Sequence, residues 1–454
     1  MKSTTQKNTT REMTTGSPLR LIVQFALPVL GGNLLQQMYN MIDAAIVGRF
    51  LGAPALAAVG STSSVQFLVF GFCIGTCSGF GVPIARDFGA HNMAKMRREI
   101  FHSFLLTAVI ALIGCLGCSL GCGGILRMMQ VPEDIWKDAY LYLLIIFLGT
   151  PFTLLYNLLS GILRSVGDSR TPFLFLALST VLNIFLDIFC IVVLKWGCAG
   201  AAIATVAAQA ISGLLCLVVI VRSFQVLHPR KEDRRFQWSC IRELLTMGVP
   251  MGLQFSITAI GSMVLQTAVN AMGSVYVSAF TTAIKINQIS MCPIDAVANA
   301  TSVFSSQNLG AGKPDRIRRG MFEGVLAGVV YGLVAGIVLY LFGHKLCLLF
   351  VSADNTEVIS LASRLMHYNG FAFWLLGILT TVRLCVQGLG FPGRAVFSGV
   401  MEMIARAGVV FLLVPSLHFT AVCMANIFAW AFGALYIGPV GMLTLRQVQK
   451  KLKQ

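Results

Sequence analysis

The chain has 454 residues, of which 56% are hydrophobic and only 11% charged, with a mean hydropathy of +0.79. That composition excludes a water-soluble domain as the main body, because the apolar runs repeatedly reach the 18 or more residues that cross a bilayer. The formal charge of +16 invites a nucleic-acid partner, but the placement of the basic residues along the chain removes that reading.

In chain order, a polar, Thr-rich stretch (1–20) precedes twelve apolar segments. They lie near 21–45, 56–84, 98–124, 137–159, 170–194 and 198–221, then 244–270, 276–304, 320–343, 358–382, 392–415 and 420–445. Residues 1–20 carry no short apolar core ahead of a small-residue cleavage site, so no signal peptide is expected and the first span is retained. Each span is expected to be helical: a lipid-facing backbone has no water to satisfy its amides, and the segments are too long for tilted barrel strands. The expected fold class is an all-α polytopic membrane protein. Its parts are a first lobe over 21–221, a charged linker over 222–243, a second lobe over 244–445 and a tail over 446–454.

The two halves repeat each other. ALPVLGG at Ala26 to Gly32, GRFLGAPAL, and the basic turn GAHNMAKMRR from Gly89 to Arg98 return about 221 residues later as MGVPMG around Pro250, AMGSVYVSA, and GAGKPDRIRR from Gly310 to Arg319. Pro28 answers to Pro250, and Arg97 with Arg98 to Arg318 with Arg319. Half the chain is far too long for a solenoid unit, so the repeat implies two pseudo-symmetric six-helix lobes around a central cavity, as in a carrier. An even number of helices per half makes the lobes parallel rather than inverted.

Alternate loops and the two ends hold 26 Lys and Arg, with Arg383 falling just past the tenth span. The opposite loops hold only Arg49, Arg127, Lys137, Lys195 and Lys345. This bias places both termini and the linker in the cytoplasm and accounts for the charge without a nucleic acid.

Several motifs are set aside. Cys115, Cys118 and Cys122 begin with a CxxC, but no second CxxC or His stands at ligand spacing, so small-residue helix packing is the better reading. His228 and Asp233 fit an HxxxxD pattern of some acyltransferases, a cheap match in so polar a linker. A GxxxxGK[ST] phosphate cradle is absent, and no soluble stretch could fold as a nucleotide-binding domain. An ion gradient is therefore the simplest energy source, with H⁺ or Na⁺ as the coupling ion and no cofactor. The six His (His91, His102, His228, His344, His367, His418) are scattered singly and outline no enzyme centre.

Buried acids mark where a gradient would couple. Asp43 follows Tyr39 by one helical turn, and Asp187 follows Asn183 by the same step. Both helices run outward, so the two carboxylates share the outer half of the bilayer, and Thr205, two turns into the sixth span, reaches the same layer. Phenol, amide, hydroxyl and two carboxylates form a hard oxygen set for Na⁺, or for a proton. The plainer alternative is that both acids only hydrogen-bond neighbouring helices or sit at a wet helix end.

These residues and motifs resemble the multidrug and toxic compound extrusion (MATE) transporters over nearly the whole chain after the polar start. The resemblance rests on ALP with YNMIDAAIVGRFLG, ILRSVGDSRTP (Ile162 to Pro172), GCAGAAIATVAAQ (Gly197 to Gln209), CVQGLGFPGR (Cys385 to Arg394) and GAGKPDRIRR. It implies that the cation site of the DinF-like branch falls on Tyr39, Asp43, Asn183, Asp187 and Thr205, with Pro28 where the first helix bends. It also implies amphipathic organic cations as cargo, in a monomer of the inner membrane surrounded by lipid. The seventh-span acid of the NorM-like branch is missing from Gly248 to Ser262. The second-half charges left as candidate cavity residues are Lys285, Asp295, Glu402 and Arg406, with Arg364 beside them; Glu402 and Arg406, four apart, can neutralise each other. The competing reading is a flippase for lipid-linked saccharides or lipid precursors, which would need a strongly cationic cavity. A major-facilitator carrier is disfavoured because RDFGAHNMAKMRR lacks that superfamily's GxxxDRxGRR loop.

Overall fold

A computed structural model describes residues 10–129 and 131–453. Among them there is no strand, and the chain runs as twelve helical rods. The first half contains α1 (Pro18–Leu51), α2 (Ala53–Gly89), α3 (Met93–Met128), the pair α4 (Glu133–Leu148) and α5 (Thr150–Ser165), α6 (Arg170–Ile188) and α7 (Gly197–Ser223). The second half contains α8 (Trp238–Asn270), α9 (Ser274–Gly310), α10 (Pro314–Cys347), α11 (Thr356–Gly388), α12 (Pro392–Gly408) with the short α13 (Val414–Leu417), and α14 (Phe419–Lys453).

Ten of these helices are singly long and apolar enough to cross a membrane, and the α4–α5 pair makes an eleventh. The remaining rod, α9, misses that composition test; it carries Lys285, Asp295 and many Ser, Thr and Asn side chains. Outward-facing apolar side chains are bare: Leu120 is 88% exposed and Phe371 78%. Water would penalise such surfaces, and lipid does not.

The fourth span departs from the single helix expected over 137–159, because α4 and α5 meet at 46°. Pro151 stands in the first turn of α5 and brings no N–H to continue the α4 ladder. Gly149 at the joint admits α7: a Cβ there would collide with a methyl of Val206. The tail after 445, by contrast, simply continues α14 to Lys453.

The repeat is written in the backbone as well. Gly52 (φ 86°) and Gly273 (φ 111°) precede α2 and α9, and His91 (φ 55°) adopts the left-handed conformation that its counterpart Gly312 (φ 66°) takes without strain. A π segment, Phe189–Val193, follows α6, and another, Val409–Leu413, follows α12.

The chain forms two compact units. The first comprises the described residues up to Met13 with Gly31–Gly252, and the second Thr14–Leu30 with Leu253 onward. The division falls inside α1, two residues after Pro28, and inside α8, two residues after Pro250. In the first unit, Phe80, Ile100, Leu159 and Leu163 centre one apolar cluster, while Tyr142, Ile146, Ile191 and Ala201 centre another. In the second unit a larger cluster gathers Phe373, Leu376, Leu379 and Trp430. There α10 and α11 touch backbone to backbone through Gly336 and Gly370, the small-residue contact that membrane helices use in place of hydrophobic collapse.

Candidate functional site

The first unit brings all five expected oxygen-bearing residues together. On α1, Tyr39 and Asp43 share one face, about two turns short of the helix end at Leu51. On α6, Asn183 and Asp187 do the same just before the π segment, and such segments often mark functional places in helices. Thr205 completes the layer from α7: its Oγ1 accepts from the Tyr39 hydroxyl at 3.1 Å and from Asn183 Nδ2 at 3.5 Å. The Asp43 and Asp187 carboxyls face each other within hydrogen-bonding reach.

The cluster is rich in acceptors and poor in donors. Asp187 is fully buried, and Asp43 and Asn183 nearly so. Asp43 Oδ1, Asn183 Oδ1 and both Asp187 oxygens have no hydrogen-bond partner. Leaving a buried acceptor unpaired costs about 1–3 kcal/mol, and two unneutralised carboxylates cost more. A proton shared between the acids, or a small cation among these oxygens, would remove the deficit. Ile42, Ile46, Ile184 and Val206 wall the site with hydrocarbon, which strengthens any charge interaction inside.

Sequence reasoning missed Tyr142. It is buried on α4 and lies within electrostatic reach of Asp43, Tyr39 and Asp187. In the run YLYLLIIF it reads as one more apolar-tolerant aromatic; only the helix packing reveals it as a phenol beside two acids.

The second-unit charges do not form one cavity set. Lys285 is exposed and stands 5.9 Å from the centre of the Phe350 ring. Arg364 donates to Thr420 at 2.7 Å. Glu402 and Arg406 are 3.6 Å apart, but the closer partner of Glu402 is Arg383, whose Nη1 donates to Oε1 at 2.6 Å. Arg383 also faces Asp295 electrostatically. Arg383, just past the expected tenth span, lies inside α11, five residues before its end.

The motifs set aside are structural here. Asp233 accepts from Arg97 at 2.7 Å and from the Arg230 amide at 3.0 Å, while His228 pairs with the Ile220 carbonyl at 3.2 Å. Cys115 and Cys122 contact the carbonyls of Leu148 and Tyr140 along the α3–α4 seam. Among the described residues no group of His, Cys, Asp and Glu is arranged to hold a metal.

Comparison with known proteins bears on the family and the fold. The family model MatE matches residues 28–189 and, separately, 250–412. The probable multidrug resistance protein YpnP of Bacillus subtilis (strain 168) is 30% identical over 385 residues, 84% of this chain and 84% of its own length. A second protein of that organism, the probable multidrug resistance protein YoeA, is 30% identical over 401 residues, 86% of this chain and 85% of its own. A solved structure, the outward-facing conformation of a multidrug resistance MATE family transporter of the MOP superfamily, superposes with a TM-score of 0.91 over 99% of this chain and 100% of that one, at 21% identity, which shows the shared fold. The matched halves coincide with the internal repeat, and so the chain belongs to the MatE family: it is a multi-pass membrane transporter, not an enzyme.

Proposed function

We propose that the chain is a cation-coupled antiporter, driven by H⁺ or Na⁺, that exports amphipathic organic cations or drugs by alternating access. The observation that carries this reading is the pair Asp43 and Asp187, two buried acids facing each other with no ion pair to a basic side chain among the described residues. Asp43 and Asp187 hold the coupling ion, Asn183, Tyr39 and Thr205 orient it, and Pro28 serves as the hinge that reports its presence along α1. Similarity to relatives named as multidrug resistance proteins supports the cargo class. Ion and cargo must disfavour each other, since coupling between two ligands is reciprocal. The basic-residue bias supports a cell-membrane protein with both termini cytoplasmic, acting as a monomer in lipid.

The test is transport into and out of proteoliposomes. An inward gradient of Na⁺ or of H⁺, imposed separately, should drive extrusion of a fluorescent organic cation, and Asp43→Asn should abolish the dependence on whichever ion works. Transport indifferent to both gradients, or to the substitution, would overturn the reading.

A further inference from the structure

A second group of buried acids lies in the first unit, apart from Asp43 and Asp187, at the end that the basic-residue bias makes cytoplasmic. Near its C-terminus α2 supplies Arg86 and Asp87, α3 supplies Lys95 and Glu99 one turn apart, and α8 supplies Glu243. The first part of α8 belongs to this unit. It packs on α2 without side chains between, since a Cβ on Gly79 would collide with the backbone of Gly248. Glu243 is the best served of the three acids: it accepts from Arg86 and lies 3.1 Å from Lys95. Lys95 also reaches Asp87 at 3.2 Å.

Glu99 is the worst served. It has no exposed surface, and neither of its oxygens accepts a hydrogen bond. Lys95 at 3.5 Å and Arg86 at 3.9 Å are its cations, and both have closer carboxylate partners. The other titratable groups at this place are Arg98 of α3 and Cys240 of α8, and both donate to the Gln237 side chain, at 3.3 and 3.5 Å. What faces Glu99 is a second acid: the Asp87 carboxyl stands within hydrogen-bonding reach, and its Oδ2 accepts no hydrogen bond either. Two carboxylates are acceptors only, so they can bond to each other only when a proton lies between them. The charges agree, because three acids stand against two bases. One proton removes both the orphaned oxygens and the excess charge.

We propose that Glu99 is a proton-binding site on the cytoplasmic side, which holds its proton in a hydrogen bond to Asp87 and thereby latches the first part of α8 through Glu243. While Glu99 is neutral, Arg86 and Lys95 are free to hold Glu243. Once it ionises, three carboxylates compete for two cations and the hold on α8 weakens. A proton needs no cavity, and the site depends on neither the cargo nor the coupling ion of the transporter reading.

The experiment reads protonation directly, by infrared spectroscopy of the purified full-length protein in detergent with no gradient. At neutral pH wild type should show a protonated-carboxyl C=O band that Glu99→Gln lacks. Asp87→Asn should lose the same band, because two acids then face two bases and Glu99 ionises. Each variant is subtracted from wild type, so any proton held by Asp43 and Asp187 cancels. The second readout is hydrogen exchange of residues 238–247, taken as the ratio of wild type to Glu99→Gln at each pH, in which the intrinsic rates cancel. The two should match at neutral pH. At alkaline pH still below the ordinary lysine range, wild type should exchange about five-fold faster, the scale of an ion pair worth about 1 kcal/mol. A carboxyl that merely fills space would move the ratio equally at both. No band lost in either variant, or an exchange ratio that does not change with pH, would overturn the proposal. Neither readout involves transport, so a failed gradient assay leaves this test interpretable, and a failure here leaves the gradient assay standing.

Discussion

The two units share a repeat, and the acids of one site in each are treated in opposite ways. In the first, Asp43 and Asp187 face each other and have no basic partner among the described residues. In the second, Glu402 is held between Arg383 and Arg406. The exchange is position by position. The step that carries Pro28 to Pro250 carries Asp43 to Leu265, and the step between the two π segments carries Asp187 to Ala407. In the reverse direction Glu402 and Arg406 fall on Leu182 and Leu186. One scaffold thus carries a site lacking positive charge in one half and a carboxylate held between two guanidiniums in the other. The fold itself dictates neither, so function must be argued from the side chains.

The largest expected effect comes from neutralising one acid in each unit. Glu402→Gln leaves two buried guanidiniums with an amide between them, and removing one partner of a buried ion pair costs about 3–5 kcal/mol. Asp187→Asn removes one of two adjacent like charges and breaks no ion pair, so stability should stay level or rise while ion dependence is lost. Thermal unfolding of both variants in detergent, beside the gradient assay, checks the contrast. If Asp187→Asn destabilised as strongly as Glu402→Gln, the first-unit acids would be structural and the comparison would fail.

A smaller effect tests whether the neutral members of the acid site position the ion. Thr205→Ala removes the acceptor shared by the Tyr39 hydroxyl and the Asn183 amide. With about 1–3 kcal/mol at stake for each orphaned group, the half-saturating concentration of the coupling ion should rise by about ten-fold, and Thr205→Ser should recover it. An unchanged ion dependence would show that the acids alone define the site.

The legibility of this chain follows the reach of local rules. Tyr39 with Asp43, and Asn183 with Asp187, were readable because residues one turn apart on a helix share a face. Thr205 was readable because the repeat and the span ends fix depth. Rod α9 fails on hydropathy alone; the repeat, in which AMGSVYVSA answers to GRFLGAPAL, identifies it. What stayed hidden depends on contact between helices. Tyr142 is distinguished from other aromatics only by the acids packed beside it. Arg383 closes an apolar run, so composition sends it to a loop, whereas Glu402 on another helix holds it inside. The α4–α5 bend needs Val206 of α7 pressed against Gly149 to explain why the joint admits no side chain.

The smallest effect concerns an acid of a third kind, in neither membrane site. Asp233 lies in the short 3₁₀ turn Lys231–Arg234 and binds Arg97 and the Arg230 amide. Burial pushes its carboxyl upward, but the Arg97 hydrogen bond and the backbone amide outweigh that and hold it below the usual carboxylate range. A carboxyl depressed in the folded state contributes stability above its unfolded value, and that contribution is lost as pH falls through the folded value. Asp233→Asn should therefore speed hydrogen exchange of residues 228–237 at neutral pH, by up to about five-fold for a pair worth up to about 1 kcal/mol. The difference from wild type should close as pH falls below about 4, the ordinary range for aspartate. A difference that persisted unchanged in acid would mean that Asp233 acts through the shape of its turn, and that the pairing of acid with base seen at Glu402 has no counterpart in the linker.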